Sequence, residues 1–405
     1  MHSSNRSSEN PTIEKFLKYV TAIVVCWYVV LCVANYLSKR PLWNDEECVF
    51  LSIKTFTAWQ MFHEPLKAIQ VFPRVYLFLI QQISKPFNFD LLALRFLPFV
   101  CMLSAFFIWL KIVSLELKNR VEYLTFVLSW SASAVLIYYS AELKQYSMDV
   151  LAASLFLLFF YHQEEIKNDN RGFPCALAAV LLPILGMFSY IAFLFSIILL
   201  YNLFIIVKRN KKMVNVLIYY VISLLTVGVL SYLFDMRFRH IETVTKGFGD
   251  YFVSFNSLSE FLKTFGEGTN NLFSRWFVER PKVFKKIGLF FVSFGFLYMF
   301  YGFLKNIKKN RYILKTPQTI AFVVFVELFI LGALQRYPFT VPRTSLFFCP
   351  VILYLTVKGI TSLKRFNIYL YRIVHICYVI FLIFLAVALS HITFLGKLTF
   401  RPVLW

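Results

Sequence analysis

The stretch "FLKYVTAIVVCWYVVLCVANYLSKRPLWNDEECVF", residues 16–50, joins a long apolar run to three consecutive acids, Asp45, Glu46 and Glu47. The run from 16 to 37 is long enough to cross the hydrocarbon core of a bilayer as a helix, which takes about 20 residues. The acids follow about eight residues beyond its end, where a chain leaving the membrane meets water. Composition agrees: of 405 residues 59% are hydrophobic and 19% aromatic, with 48 Phe and a mean hydropathy of +0.66. Such usage lies outside soluble globular proteins and predicts an all-α, polytopic membrane protein.

The formal charge of +21 raises the possibility of nucleic acid, but the basic residues sit in short clusters between apolar runs. That is the pattern of membrane loops, so nucleic acid is not an expected partner and anionic lipid or a phosphate-bearing substrate is. Six of the seven cysteines (Cys26, Cys32, Cys101, Cys175, Cys349 and Cys377) fall in apolar segments, which excludes a disulfide framework or a Cys-x-x-Cys metal motif. No small-residue cleavage site follows the polar N-terminal tail, so the first helix is expected to be retained.

Apolar windows predict eleven spans, near 16–37, 91–112, 121–139, 147–162, 174–190, 191–207, 214–234, 286–304, 319–335, 344–360 and 371–391. The 174–207 stretch is too long for one helix, and Gly186 with Ser189-Tyr190 predicts a tight turn inside it. Basic loops at 208–212, 304–311 and 362–367 alternate so as to share one side, which the positive-inside rule makes cytoplasmic. The N-terminus is then cytoplasmic and the C-terminus periplasmic, as expected for a bacterial inner-membrane protein. The whole chain, 1–405, reads as one transmembrane domain with two long outer loops, 38–90 and 235–285. Within the first, 46–62 and 72–87 carry helix-spaced apolar residues and predict helices lying in the membrane interface. Within the second, "KGFGDYF" and "FGEGTNN" predict glycine-containing turns of a mobile loop.

Three outer places could carry chemistry. At the first, a carboxylate of "WNDEE" can act as general base on a hydroxyl arriving from water, or the same acids can cap an interfacial helix. The second is "YYSAELKQYSMDV", 138–150, where Lys144 could hold a phosphate with Glu142 or Asp149 holding Lys144, and Tyr146 beside them. A salt-bridged turn in an aromatic belt explains the same residues. The third is "LQRYPFTVPRTSLFFCP", 334–350, where Arg336 and Arg343 suit a lipid phosphate or ordinary headgroup anchoring. Arg95, in "LRFLP", is a fourth cation of the same kind. Glu327 lies mid-span, where an acid is paired or faces a cavity.

Taken in order, these places resemble the C-type membrane glycosyltransferase superfamily (GT-C), whose members include protein O-mannosyltransferases and aminoarabinose transferases of lipid A. "WNDEE" is similar to that family's Asp-Glu motif, "YYSAELKQYSMDVL" to its second-loop pattern, and "RFLP" and "RYPFTVPRTSLFFCP" to its Arg-x-x-Pro helix start and late Arg-bearing turn. The resemblance implies Asp45 as catalytic base with Glu46 beside it, and Lys144 and Arg343 near the phosphate of a polyprenyl-phosphate sugar donor. It implies inverting transfer to a hydroxyl of a glycan, lipid or protein. Lys144 stands where many relatives carry Arg, and the large soluble C-terminal domain of some is lacking. No obligatory metal is expected. Three adjacent acids could bind a divalent cation, but sequence neighbours in a helix cannot all face one ion. Two rivals stay open: a flippase for lipid-linked sugars, pointing to Glu327, and a polysaccharide polymerase or ligase, pointing to Arg237, Arg239 and His240.

Overall fold

The structure is a computed structural model that describes residues 11–117, 119–163, 165, 172–238, 249–277, 282–308, 314–339, 343–396 and 398. It is all-α, with sixteen α-helices among the described residues. A 27-residue helix α1 (Pro11–Leu37) is followed by three short ones, α2 (Asn44–Thr55), α3 (Ala58–His63) and α4 (Arg74–Ser84). Next come α5 (Leu91–Glu116), α6 (Arg120–Ser131), α7 (Ala134–Tyr139), α8 (Tyr146–His162), α9 (Gly172–Leu181), α10 (Ile191–Arg209) and α11 (Val214–Phe234). The chain ends with α12 (Leu258–Ser274), α13 (Lys282–Lys308), α14 (Pro317–Ala333), α15 (Cys349–Ser362) and α16 (Ile368–Phe394).

Seven helices, counted with their flanking turns, are long and apolar enough to cross a bilayer: Pro11–Leu37, Leu91–Glu116, Ile191–Arg209, Lys211–Phe238, Lys282–Ile307, Leu346–Arg365 and Ile368–Phe394. Large apolar side chains such as Ile23, Phe107, Leu225 and Val387 stand exposed on them, as lipid-facing residues must. These are the features of an integral membrane protein.

All eleven predicted windows fall on helix, but four are shorter or broken. The window 121–139 splits into α6 and α7 because Ser133 leaves the helix ladder: its hydroxyl donates to Trp276 O at 2.6 Å, and the Ala134 N–H donates to Phe277 O at 3.1 Å. The turn inside 174–207 lies where expected, with Pro183 and Gly186 in a 3-10 segment, Leu182–Met187, before α10. The glycine turn expected at "FGEGTNN" does not exist. Those residues lie inside α12, which the Ser257 hydroxyl caps by accepting from Glu260 N–H at 3.1 Å. Phe261 and Phe265 pack there on Phe329 of α14, and this packing offsets the cost of about 1 kcal/mol for each helical glycine.

α13 and α15 meet through glycines. A Cβ added at Gly359 would lie 2.2 Å from Phe294 O, and one at Gly295 would lie 2.7 Å from Thr356 N. Only hydrogen fits at this crossing, the small-residue contact by which membrane helices bring their backbones together.

The segment between α1 and α5 has a core of its own. Val49 and Ile53 of α2, Met61 of α3, and Tyr76, Leu77 and Ile80 of α4 pack on Leu94 of α5 and on Leu143. At 11 residues, or about 16 Å, α4 is too short to span the hydrocarbon core.

Candidate active site

The acids of "WNDEE" occupy the first turn of α2, where they complement the positive end of the helix dipole. Successive residues of a helix turn by about 100°, so the three point in different directions. Glu47 faces outward and is exposed. Glu46 points inward and is 0% exposed. Its Oε1 accepts from Arg95 Nε (3.2 Å), Arg95 Nη2 (3.0 Å) and Leu143 N–H (2.7 Å), and its Oε2 accepts from Arg95 Nη2 (2.9 Å) and Trp43 N–H (3.3 Å). Arg95, 1% exposed, also donates through Nη1 to Arg40 O at 2.6 Å. Both members of this pair are therefore saturated. The paired carboxylate and guanidinium tie α2, α5 and the turn before α8 into one piece.

Asp45 lies between those two directions, with its side chain 20% exposed. Its Oδ1 is 3.2 Å from Lys144 Nζ and its Oδ2 is 2.8 Å from Arg343 Nη1. Residues 99 and 298 positions away in sequence thus converge on one carboxylate. Arg343 also lies over the Trp43 ring, 5.7 Å from its centroid, a cation–π contact.

Lys144 reaches this point from a braced turn. Asn35 of α1 donates to Ile137 O (2.7 Å) and Tyr138 O (3.2 Å), adding to the bonds that these last carbonyls of α7 accept from Ser140 and Ala141. Arg40 donates to Ala141 O (3.0 Å) and stacks on Tyr138, 3.8 Å from its ring centroid. Lys144 is 4% exposed, and besides Asp45 its Nζ donates to Gln70 Oε1 at 2.8 Å. Burial pulls its ammonium below the usual lysine range, against the opposite pull of Asp45. Neither Glu142 nor Asp149 holds Lys144 through its side chain. Glu142 contributes its backbone carbonyl to the Lys144 N–H (2.8 Å), and Asp149 accepts from Ser189 Oγ (2.5 Å).

Glu142 is 1% exposed, and its Oε1 accepts a single long bond, 3.3 Å, from Trp43 Nε1. Burial, and then the charge of Glu46, push its carboxyl up to about 8. Tyr146 is buried, edge-on to Tyr139 at 5.3 Å. Arg336 is exposed beyond the end of α14, and Glu327 is half-buried within that helix. Arg237 is exposed and stacks on Phe238; Arg239, His240 and residues 340–342 lie outside the described residues.

Two features escaped the sequence reading. Gln70 stands in a loop that Ala68 turns through the left-handed region at φ 54°. Arg74, the first residue of α4, is buried with Asp235. Its Nε donates to Asp235 Oδ1 (2.7 Å) and its Nη1 to Met61 O (2.8 Å) and Glu64 O (3.0 Å), while Tyr190 donates its hydroxyl to Asp235 Oδ2. This ion pair fastens the segment between α1 and α5 to the end of α11.

A divalent cation does not suit this donor set. The oxygens of Asp45 face two cations and those of Glu46 face only N–H donors. Among the described residues no cluster of three or more His, Cys, Asp or Glu is placed to hold a metal. The chain matches no protein-family model and no curated protein.

Proposed function

We propose that the protein is an integral membrane glycosyltransferase that moves a sugar from a polyprenyl-phosphate donor to a hydroxyl at the outer face of the membrane. One observation carries the proposal: Asp45, partly open to water, is bracketed by Lys144 and Arg343 at 3.2 and 2.8 Å. These three side chains bring together what an inverting transfer needs, a proton acceptor next to two phosphate-binding cations. The order of the motifs along the chain, similar to that of C-type membrane glycosyltransferases, supports the same reading.

The chemistry follows from the charges. A sugar linked to a polyprenyl phosphate is a phosphodiester with one negative charge. Its phosphate competes with Asp45 for the donors on Lys144 and Arg343, and as it takes them the carboxylate is released toward the acceptor. The acceptor oxygen forms its bond to the anomeric carbon from the face opposite the phosphate. Asp45 takes the hydroxyl proton, the old carbon–oxygen bond breaks, and its electron pair leaves with the polyprenyl phosphate. The configuration inverts. Because the phosphate gains a second negative charge, the two cations hold the transition state more strongly than the ground state, and interactions of that kind accelerate a reaction. Glu46 and Arg95 position α2, and the acid that touches the reacting hydroxyl is Asp45.

The test separates base from brace. Asp45→Asn keeps the size of the side chain and the fold, and it removes the carboxylate that competes for Lys144 and Arg343. In reconstituted protein supplied with a panel of undecaprenyl-phosphate sugars, the variant should lose on the order of a hundredfold or more in transfer rate. It should bind the donor lipid at least as tightly as the native protein. Near-native transfer by Asp45→Asn would refute the proposal.

A further inference from the structure

Glu142 is the one acid beside Asp45 that the proposed reaction leaves without a task, and its surroundings do not suit a charged carboxylate. Its Oε2 is buried without a hydrogen-bond partner, and its Oε1 has only the 3.3 Å bond from Trp43. It forms no ion pair with a described residue, although cations stand nearby. Lys144 and Arg343 both turn to Asp45, and Arg40 turns to Tyr138 and Ala141 O. An ionised carboxylate buried with one weak donor costs several kcal/mol, and such a group takes up a proton instead.

We infer that Glu142 carries its proton at neutral pH and in that form leaves the three side chains that would meet the phosphate, Lys144, Arg343 and Asp45, at a single net positive charge, matched to one phosphodiester anion. The ligand half of this inference rests on the glycosyltransferase reading; the proton half does not. With Glu142 neutral, Lys144, Arg343 and Asp45 leave one positive charge, which the donor phosphate cancels. The cancellation persists through transfer, since Asp45 gains a proton as the departing phosphate gains a charge. An ionised Glu142 would set a negative charge beside the incoming anion; Arg40, the remaining cation near it, is turned to Tyr138 and Ala141 O.

Among the described residues, the groups facing Glu142 come from several elements. Asp45 and the Arg95-bound Glu46 come from α2, and Arg40 from the connection before it. Tyr138 and Tyr139 come from α7, Tyr146 from α8, Lys144 from its own turn and Arg343 from the turn before α15. Burial and the charge of Glu46 dominate among them, which places the ionisation of Glu142 at about 8.

Two measurements decide the matter. In the infrared spectrum of purified protein at about pH 7, the difference between native protein and Glu142→Gln should contain the carbonyl stretch of a protonated carboxylic acid, and the band should vanish by about pH 10. This readout needs no substrate. With an undecaprenyl-phosphate hexose, whose charge is constant over that range, kcat/KM of the native protein should fall on the order of tenfold per pH unit above the Glu142 ionisation. In Glu142→Gln the alkaline fall should move to higher pH, while kcat/KM near neutrality stays within about fivefold, since an amide imitates the protonated acid. Should Glu142→Gln fail to fold, Trp43→Phe removes the one hydrogen bond that favours the charged form and should also move the fall upward. The inference is overturned if the infrared band is absent, or if Glu142→Gln is inactive at every pH. It is also overturned if the alkaline fall stays where it was, which would assign it to Lys144. If native protein transfers no sugar at any pH, the glycosyltransferase reading fails, while the infrared band still decides the proton.

Discussion

Glu46→Gln perturbs one atom of the "WNDEE" triplet and separates the two acids that look alike in sequence. In the native protein Glu46 accepts five hydrogen bonds, three from the Arg95 guanidinium and two from backbone N–H groups, and both side chains are shut off from water. An amide supplies one accepting oxygen. Placed at Oε1 it retains Leu143 and part of Arg95, but its NH2 group then confronts Arg95 Nη2 and the Trp43 N–H, donor against donor. Arg95 keeps its charge with no carboxylate to meet it. Breaking a buried pair by removing one partner costs about 3–5 kcal/mol, most of it the desolvation of the charge left behind. Glu46→Leu combined with Arg95→Met removes both charges, and should recover all but about 1–2 kcal/mol of that loss. Thermal unfolding in detergent, followed by tryptophan fluorescence, should rank native protein, double variant and Glu46→Gln in that order, and in the cycle closed by Glu46→Leu and Arg95→Met made singly the double variant should lose less than the sum of the two. Asp45→Asn leaves the mostly buried Lys144 and Arg343 without their shared carboxylate and should also lose stability, but less than Glu46→Gln, because the Asp45 side chain is 20% exposed. If Glu46→Gln is as stable as native, or if the double variant is the least stable of the three, the bracing role given to Glu46 is wrong.

Arg74→Met should detach the segment between α1 and α5 from α11 by removing the cation from Asp235, which keeps only its Tyr190 bond and a backbone bond, and the Arg74 donor from the Met61 and Glu64 carbonyls; amide hydrogen exchange should rise at residues 58–74 and stay unchanged in α15, and protection equal to native would refute it. For sidedness, Cys48 on half-buried α2 should react with a membrane-impermeant thiol reagent in intact spheroplasts, and a cysteine introduced by Lys211→Cys, at an exposed position, only after permeabilisation. The reverse pattern would put Asp45 on the cytoplasmic side and remove the basis for an outer-face reaction.

Helix positions were legible in the sequence because hydrocarbon imposes one local requirement, an apolar run of sufficient length. Helix continuity was not. The break at Ser133 depends on Trp276 and Phe277, about 140 residues away, and α12 runs through its glycines because its phenylalanines find others on α14. At the site, residue types and the family resemblance named Asp45 and Glu46 as catalytic and Lys144, Arg343, Glu142, Tyr146, Arg336 and Arg95 as phosphate-binding candidates, and only tertiary geometry shows that Asp45, Lys144 and Arg343 meet. The same geometry divides roles that sequence adjacency obscures: Asp45 and Glu46 are neighbours in the chain, and one turn of about 100° puts the first at the water boundary and the second in the interior. Gln70 and Arg74 carried no signal, since a glutamine in a loop and an arginine after a proline are ordinary until a lysine and an aspartate are found opposite them.

The glycine contact between α13 and α15 has a mechanical meaning. With Gly359 against the Phe294 carbonyl and Gly295 against the Thr356 amide, no side chain is interposed at the crossing to act as a bearing. Neither helix can roll or slide past the other without driving one main chain into the other, so the pair behaves as a single strut. Arg343 sits just ahead of the strut's outer end, in the turn that leads through Ser345 into α15. Asp45 and Lys144 belong to the opposite side of the bracket, built on α2 and the α7–α8 turn. Any change in the width of the gap between Arg343 and Lys144 must then come from the side that holds Asp45, from the loop carrying Gln70, from the turn carrying Arg343, or from the strut shifting as a whole.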